Sequence, residues 1–176
     1  GKLGISERLI LDVSIERKGE TIASFKGLND AVISSGGISK ILNLSVSLTD
    51  TIIGRYRADG VIVATPTGST AYSAAAGGPI LHPELEAMII NPICPFTLSH
   101  RPIVVPGDEV IYIYVEQQQR TEAIFTVDGQ LIFPLLPQDR IVIKQAARKA
   151  AIIRSDKRTF YEVLRSKLNW SGGSDA

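Results

Sequence analysis

Along much of the chain, apolar and polar residues alternate with a period of two. In "LILDVSIE", Leu9, Leu11, Val13 and Ile15 fall on one side and Asp12, Ser14 and Glu16 on the other, the pattern of a strand with one face buried. The turn "RKGE" and the return run "TIASF" complete a hairpin. "LNLSVSL" alternates as strictly. "VIVAT", "VIYIYV", "AIFTV" and "RIVIK" are short, rich in β-branched or aromatic residues and bounded by Gly, Pro or Asp. Pro102, Pro106, Pro134 and Pro137 fall between these runs, so these four are expected to punctuate the strands without removing a ladder donor from mid-strand.

Helical spacing is confined to three stretches: "STAYSAAA", "PELEAMII" and "RTFYEVLRSKL". In the last, Phe160, Val163, Leu164 and Leu168 share a face, with Arg165 and Lys167 near the C-terminal end, where cations suit the helix dipole. The pattern predicts a mainly β chain. Residues 1–150 form its β-rich domain, 151–170 a strand and helix segment whose apolar face needs a partner from elsewhere, and 171–176 a disordered tail.

Composition narrows the classes. The 176 residues, 44% of them hydrophobic, suffice for one domain with a real core. A net charge of +1 with dispersed Lys and Arg gives no electrostatic footprint for nucleic acid. No apolar run or charged leader points to a membrane span or signal peptide. The single cysteine, Cys94, excludes an internal disulfide framework, and a reducing, cytoplasmic setting is expected. Cys94 lies between Pro92 and Pro95 without a nearby His or Lys, so it is expected to be packed rather than reactive. His82 and His100 read as lone structural or solvated histidines, and Tyr112 and Tyr114 as core or interface residues on one strand face. No His, Cys or carboxylate spacing points to a metal site. The start at Gly1, with Met88 the sole methionine, is what a piece of a longer protein would show.

The candidate chemistry lies in "DGVIVATPTGSTAYSAAAGG", Asp59 to Gly78: a strand, a Gly-containing turn and a helix start built of small residues. Amides at that helix start, with the hydroxyls of Thr67, Ser69 and Thr70, would offer donors to a polar or anionic ligand. Gly68 would let a ligand or another backbone approach closely. The stretch fits neither a Walker A loop, a dinucleotide Gly-rich fingerprint nor a nucleophile elbow. The plainer alternative is that Ser69 caps a helix whose alanines pack on a sheet. A second polar feature, Asn29 and Asp30 in "LNDAVI", interrupts an apolar run. Asn can read a base edge through donor and acceptor, and Asp can accept both hydroxyls of a ribose; the alternative is a turn held by an Asx bond.

Taken in order, "LNDAVI", "RADGVIVATPTGSTAYSAAAGGPILHP", "TVDGQ" and "FYEVLRSKLNW" resemble the C-terminal, substrate-binding part of NAD kinases. The resemblance implies a β-sandwich whose C-terminal helix packs on an α/β N-terminal domain. It implies transfer of a phosphoryl group from ATP, with Mg2+, or from polyphosphate to the 2′-hydroxyl of the adenosine ribose of NAD, giving NADP. By position it implies that Asn29 and Thr70 face the adenine edge and Asp30 the ribose hydroxyls. Ala71 and Tyr72 would border the dinucleotide, and Thr67 would contribute its loop. Asp59 would reach the nicotinamide end, in some members from a neighbouring subunit of a homodimer or homotetramer, and Asp128 would lie close to the ligand. The sequence departs from the family at two points. The "GGDG" motif, whose aspartate is the family's base, does not occur, which implies a chain inactive alone, and Gly129 stands where some members carry a histidine. A non-catalytic nucleotide-binding and oligomerisation module, or a related lipid kinase domain of the diacylglycerol type, is the competing reading.

Overall fold

Two six-stranded antiparallel sheets take up most of the alternating sequence. The computed structural model describes residues 3–37, 41–49, 51–97, 99–118, 121–155 and 157–170. In chain order the strands are β1 (Leu3–Arg8), β2 (Leu11–Arg17), β3 (Glu20–Gly27), β4 (Asp30–Ser35), β5 (Leu42–Leu48), β6 (Thr51–Ala58) and β7 (Gly60–Ala64). A 3-10 turn, Gly68–Thr70, and one turn of helix, α1 (Tyr72–Ala75), follow. Then come β8 (Ala87–Ile93), β9 (Ile103–Pro106), β10 (Ile111–Val115), β11 (Ala123–Val127), β12 (Leu131–Leu135), β13 (Arg140–Gln145), β14 (Ala150–Ser155) and α2 (Phe160–Lys167). One sheet has the order β3-β2-β13-β10-β5-β6 and the other β12-β11-β4-β7-β8-β9.

Both sheets belong to one compact unit, Arg8–Ala150. Its core takes the inward positions of each sheet: Leu11, Val13, Ile15, Ile111, Ile113, Ile141 and Ile143 from the first, Ile33, Val61, Val63, Met88, Ile90 and Phe125 from the second. This is the two-layer solution that alternation predicts. The hairpin β2–β3 turns at Lys18 and Gly19, both at positive φ, the turn geometry that matches strand twist. The second sheet is also covered on its other side, where Val32, Ile62, Ala64, Ile89 and Ile93 pack with Ala76 and Leu81. Strands buried on both faces read as continuous apolar runs, which accounts for "VIVA".

The same double burial overturns one helix expectation. "PELEAMII" forms a turn, with Leu85 N–H donating to the His82 carbonyl, and then enters β8. A short apolar run buried on both sides cannot be told from a helix by its period. The prolines also differ from expectation: Pro134 lies inside β12 and Pro106 ends β9, but both strands are sheet edges, where a missing donor costs nothing to the ladder. Cys94 is exposed rather than packed, since burial ends at Ile93 and Cys94 turns the chain at φ 45°. Tyr112 and Tyr114 share the outward face of β10, beside Arg140.

The second unit comprises Gly1–Glu7 and Ala151–Ala176, with β1 paired to β14 and the helix α2. Thr159 and Glu162 form a capping box at the start of α2. None of the residues of α2 is fully buried. The segment 171–176, expected to be disordered, lies outside the described residues. Among the described residues no helix is long and apolar enough to cross a membrane.

The first sheet's end depends on Asp139, fully buried, which accepts from Arg17 through two bonds of 2.8 Å and from the Leu136 amide. Replacing Arg17 by Met strands that carboxylate. Urea unfolding should show a loss of about 2–4 kcal/mol, whereas Lys149→Ala, which removes a pair with Glu86 at the surface, should cost under about 1 kcal/mol. Equal losses in the two variants would contradict the assignment.

Candidate functional site

Three chain segments meet at one end of the second sheet. Asp30 opens β4 opposite Ala64, the last residue of β7, and Val127, the last of β11, sits opposite Ala31. The segments 28–30, 65–70 and 127–129 therefore leave their strands side by side. Thr65, fully buried, links the first two. Its hydroxyl donates to the Leu28 carbonyl at 2.6 Å and accepts from the Gly68 amide at 3.0 Å, while its own amide donates to the Asn29 carbonyl at 2.9 Å. The contact is so close that a Cβ on Gly68 would lie 2.7 Å from Asn29 Cα and nearer still to its carbonyl. The backbone that Gly68 admits is the protein's own.

Asp128 links the third segment. Its carboxylate accepts from three successive amides, Leu28 at 2.8 Å, Asn29 at 2.7 Å and Asp30 at 3.1 Å, and its amide donates to the Asp30 carbonyl. Asp128 adopts φ 49°, a left-handed conformation that Asp tolerates. Neither an Asx turn nor Asn29 itself holds the "ND" pair; an aspartate about a hundred residues away does.

The turn after β7 corrects two expectations. No helix begins at Ser69: the 3-10 turn breaks at Ala71, with φ −100° and ψ −127°, before α1 adds a single turn. The amides of Gly68, Ser69 and Ala71 are taken by Thr65 Oγ1, the Pro66 carbonyl and the Gly68 carbonyl, so they are not free for an anion. Ser69 is neither cap nor ligand group. Its buried hydroxyl donates to the Pro66 carbonyl at 2.7 Å and accepts from the Leu81 amide at 3.0 Å. Sequence reasoning also missed Asn91 on β8, whose buried amide donates to the Ser73 carbonyl at 2.9 Å and holds α1 on the sheet. A buried Asn inside an apolar run was the available signal.

What remains for a ligand is specific. Thr67 Oγ1 is shut off from water without a partner among the described residues, and a buried unpaired hydroxyl costs stability unless something else satisfies it. Thr70, Ala71 and Tyr72 are exposed, Tyr72 by 47%, and Asn29 is half-buried. Asp30 is 5% exposed and forms no ion pair with a described cation. Burial, with the charge of Asp128 as second cause, pushes its carboxyl up to about 6. Asp59 is not brought to this end. It precedes β7, beside Ser35 and Ile93, with five residues of strand between it and Thr65, roughly 17 Å of chain. The cleft of about 510 Å³ lined by Asn43, Arg55, Tyr56, Arg57 and Glu116 lies along β5 and β6 of the other sheet. Among the described residues no group of three His, Cys, Asp or Glu side chains could hold a metal ion.

This loop arrangement stands on a chain whose residues 28–155 match the ATP-NAD kinase C-terminal domain model. The chain belongs to that family. It is 45% identical over 174 residues to an NAD kinase of Treponema denticola, covering 99% of this chain and 61% of the relative. Over 171 residues it is 44% identical to an NAD kinase of Magnetococcus marinus, covering 97% and 56%. Among solved structures, yeast NADH kinase complexed with NADH superposes with a TM-score of 0.85 at 27% identity, covering 96% of this chain and 50% of that one. An Archaeoglobus fulgidus NAD kinase in complex with ATP gives 0.74 at 27% identity, covering 93% and 60%. The chain thus spans about three fifths of the length of the relatives it matches.

The raised Asp30 has a definite effect on stability. Its folded carboxyl holds a proton up to about pH 6, against about 3.9 in an unfolded chain. The folded state then binds more protons between those values, so stability is greatest below the lower one and falls as pH rises through the upper. Asp30→Asn should therefore raise stability at pH 7.5 by about 1–3 kcal/mol and change it little near pH 4. Chemical denaturation at the two pH values checks this, and a variant equally shifted at both would refute it.

Proposed function

We propose that this chain forms the NAD-binding half of an NAD kinase, which transfers a phosphoryl group from ATP or polyphosphate to the 2′-hydroxyl of the adenosine ribose of NAD. The observation that carries the reading is the buried carboxylate of Asp30 beside Asn29, held against the turn that bears the unpartnered Thr67 hydroxyl. Family membership and the yeast and archaeal kinases, solved with NADH and ATP, support it over a lipid kinase or an inert module.

Asn29 and Thr70 read the adenine edge, and Asp30 accepts from the ribose hydroxyls. Each hydroxyl bond favours the ionised carboxylate, so binding draws the proton off Asp30 and releases it. Ala71 and Tyr72, exposed on the break between the 3-10 turn and α1, border the dinucleotide, and Thr67 supplies its free hydroxyl. In the transfer step the 2′-oxygen bonds to the γ-phosphorus, the bond from that phosphorus to the bridging oxygen breaks, and ADP leaves. The 2′ proton passes to a base. The family's "GGDG", whose aspartate would be that base, does not occur in this sequence. The chain's own contribution is position: it fixes the 2′-oxygen for in-line attack. Asp59, at the far end of β7, reaches the nicotinamide half from a second copy in a homodimer or homotetramer, and the helix α2 packs on the α/β domain that carries the phosphate donor. The setting is the cytoplasm.

Calorimetric titration with NAD, and with NADP alongside, tests the pocket. Asn29→Ala together with Asp30→Ala should lose binding by about a hundredfold or more, since two buried polar contacts disappear. Ala71→Leu, at an exposed position, should leave the unfolding midpoint unchanged and still weaken NAD. Because the ionised Asp30 is the binding form, affinity should rise with pH through about 6. Unaltered affinity in both variants would refute the assignment.

A further inference from the structure

Asp128 is the residue on which this pocket turns, although both of its carboxylate oxygens are occupied by the protein itself. Oδ2 accepts from the Leu28 amide, and Oδ1 accepts from the amides of Asn29 and Asp30. An anion gathering three successive amides is the mirror image of a nest that gathers a ligand anion. It fixes the backbone from which both nucleoside-reading side chains project. We propose that Asp128 acts as a positioning residue rather than as a ligand contact, its carboxylate holding the backbone that aims Asn29 and Asp30 and placing a second negative charge beside Asp30. This rests on the reading of Asn29 and Asp30 as the nucleoside site.

The second half of the proposal follows from which charges surround Asp30. Residues 60–70, comprising β7 and the turn after it, carry no ionisable side chain, and neither does β11. Lys26, near the end of β3, is paired with Asp12. Burial is the first cause that raises the Asp30 carboxyl, and the charge of Asp128, whose Oδ1 accepts from the Asp30 amide, is the second. Asp128 thus holds the loop and makes its neighbour's negative charge harder to form. A bound ribose, donating its hydroxyls, relieves Asp30 and finds it already aimed.

Asp128→Asn separates these roles from a merely structural one. One amide oxygen can still accept from Asn29 and Asp30, but the new NH2 faces the Leu28 amide, a donor against a donor. NMR titration of the Asp30 carboxyl in the chain should show its midpoint lowered in the variant, because the repelling charge is gone. The pH at which NAD binding strengthens should fall with it, and affinity at pH 7.5 should drop about tenfold for one lost charge-assisted bond. Thr65→Val removes a different tie between the same loops without changing any charge. It should weaken NAD binding yet leave the Asp30 midpoint where it is. An unmoved midpoint in Asp128→Asn, or undiminished affinity there, overturns the proposal. A midpoint lowered in Asp128→Asn, when the wild-type chain itself binds no NAD, overturns the functional reading and not the role of Asp128. If Asp128→Asn does not fold, amide exchange in the wild type decides. The amides of residues 28–30 should exchange together, as one unit held by one carboxylate, while those of Val61–Val63 stay protected; separate, unrelated loss of protection at the three amides overturns the proposal.

Discussion

Strand β7 is buried at every one of its five residues, with apolar neighbours on both faces. A strand in that position can satisfy its backbone through the ladder, but where it ends the chain must turn while still out of reach of water. Every polar group at that end then needs a partner from the protein. Thr65, Ser69, Asn91 and Asp128 meet that need, and each reaches a different segment. The candidate site is therefore a consequence of double burial. Loops that in an open sheet would be solvated are here tied to one another by single, well-aligned bonds. Among the described residues, the Thr67 hydroxyl and the side-chain carbonyl of Asn91 are left buried without a partner, and Asp30 is left buried without a cation.

The small residues of the Thr67–Gly78 stretch have the same origin. Gly68 is required by the Asn29 backbone, and Gly78 by the Ser73 and Asn91 side chains, where a Cβ would fall within 2.7 Å of Asn91 Nδ2. These glycines answer to packing within the chain. Ala71 and Ala75 are different, since both are exposed and meet no such limit. Small residues at exposed positions leave room on the outside of the turn, while small residues at buried ones allow the turn to be made. One run of sequence thus serves two constraints, and composition alone cannot separate them.

Much of the fold was legible because one face of most strands in the first sheet meets solvent, so the period of two survives in "LILDVSIE" and "LNLSVSL". Legibility fails where both faces are buried: "PELEAMII" lost its period in β8, and β9 and β12, carrying prolines at sheet edges, resembled linkers. The site was legible in part. Asn29 and Asp30 stood out as polar residues in an apolar run, but their anchor, Asp128, lies about a hundred residues away and could be linked to them only through the register of β4 with β11. Thr65 looked like the polar end of a strand, and nothing local marks its hydroxyl as the bond between two loops.

The arrangement around Asp30 runs against stability. A carboxylate buried to 5% exposure, with a second carboxylate beside it and no ion pair among the described residues, is held where the folded protein would sooner keep it neutral. An apolar residue or an amide would suit the packing better. Such a departure from what folding favours is expected where a site must meet something that is not part of the protein. A donor of two adjacent hydroxyls can satisfy both oxygens of this carboxylate. On the proposed reading, hydroxyl donors would complete the ionisation that the fold resists.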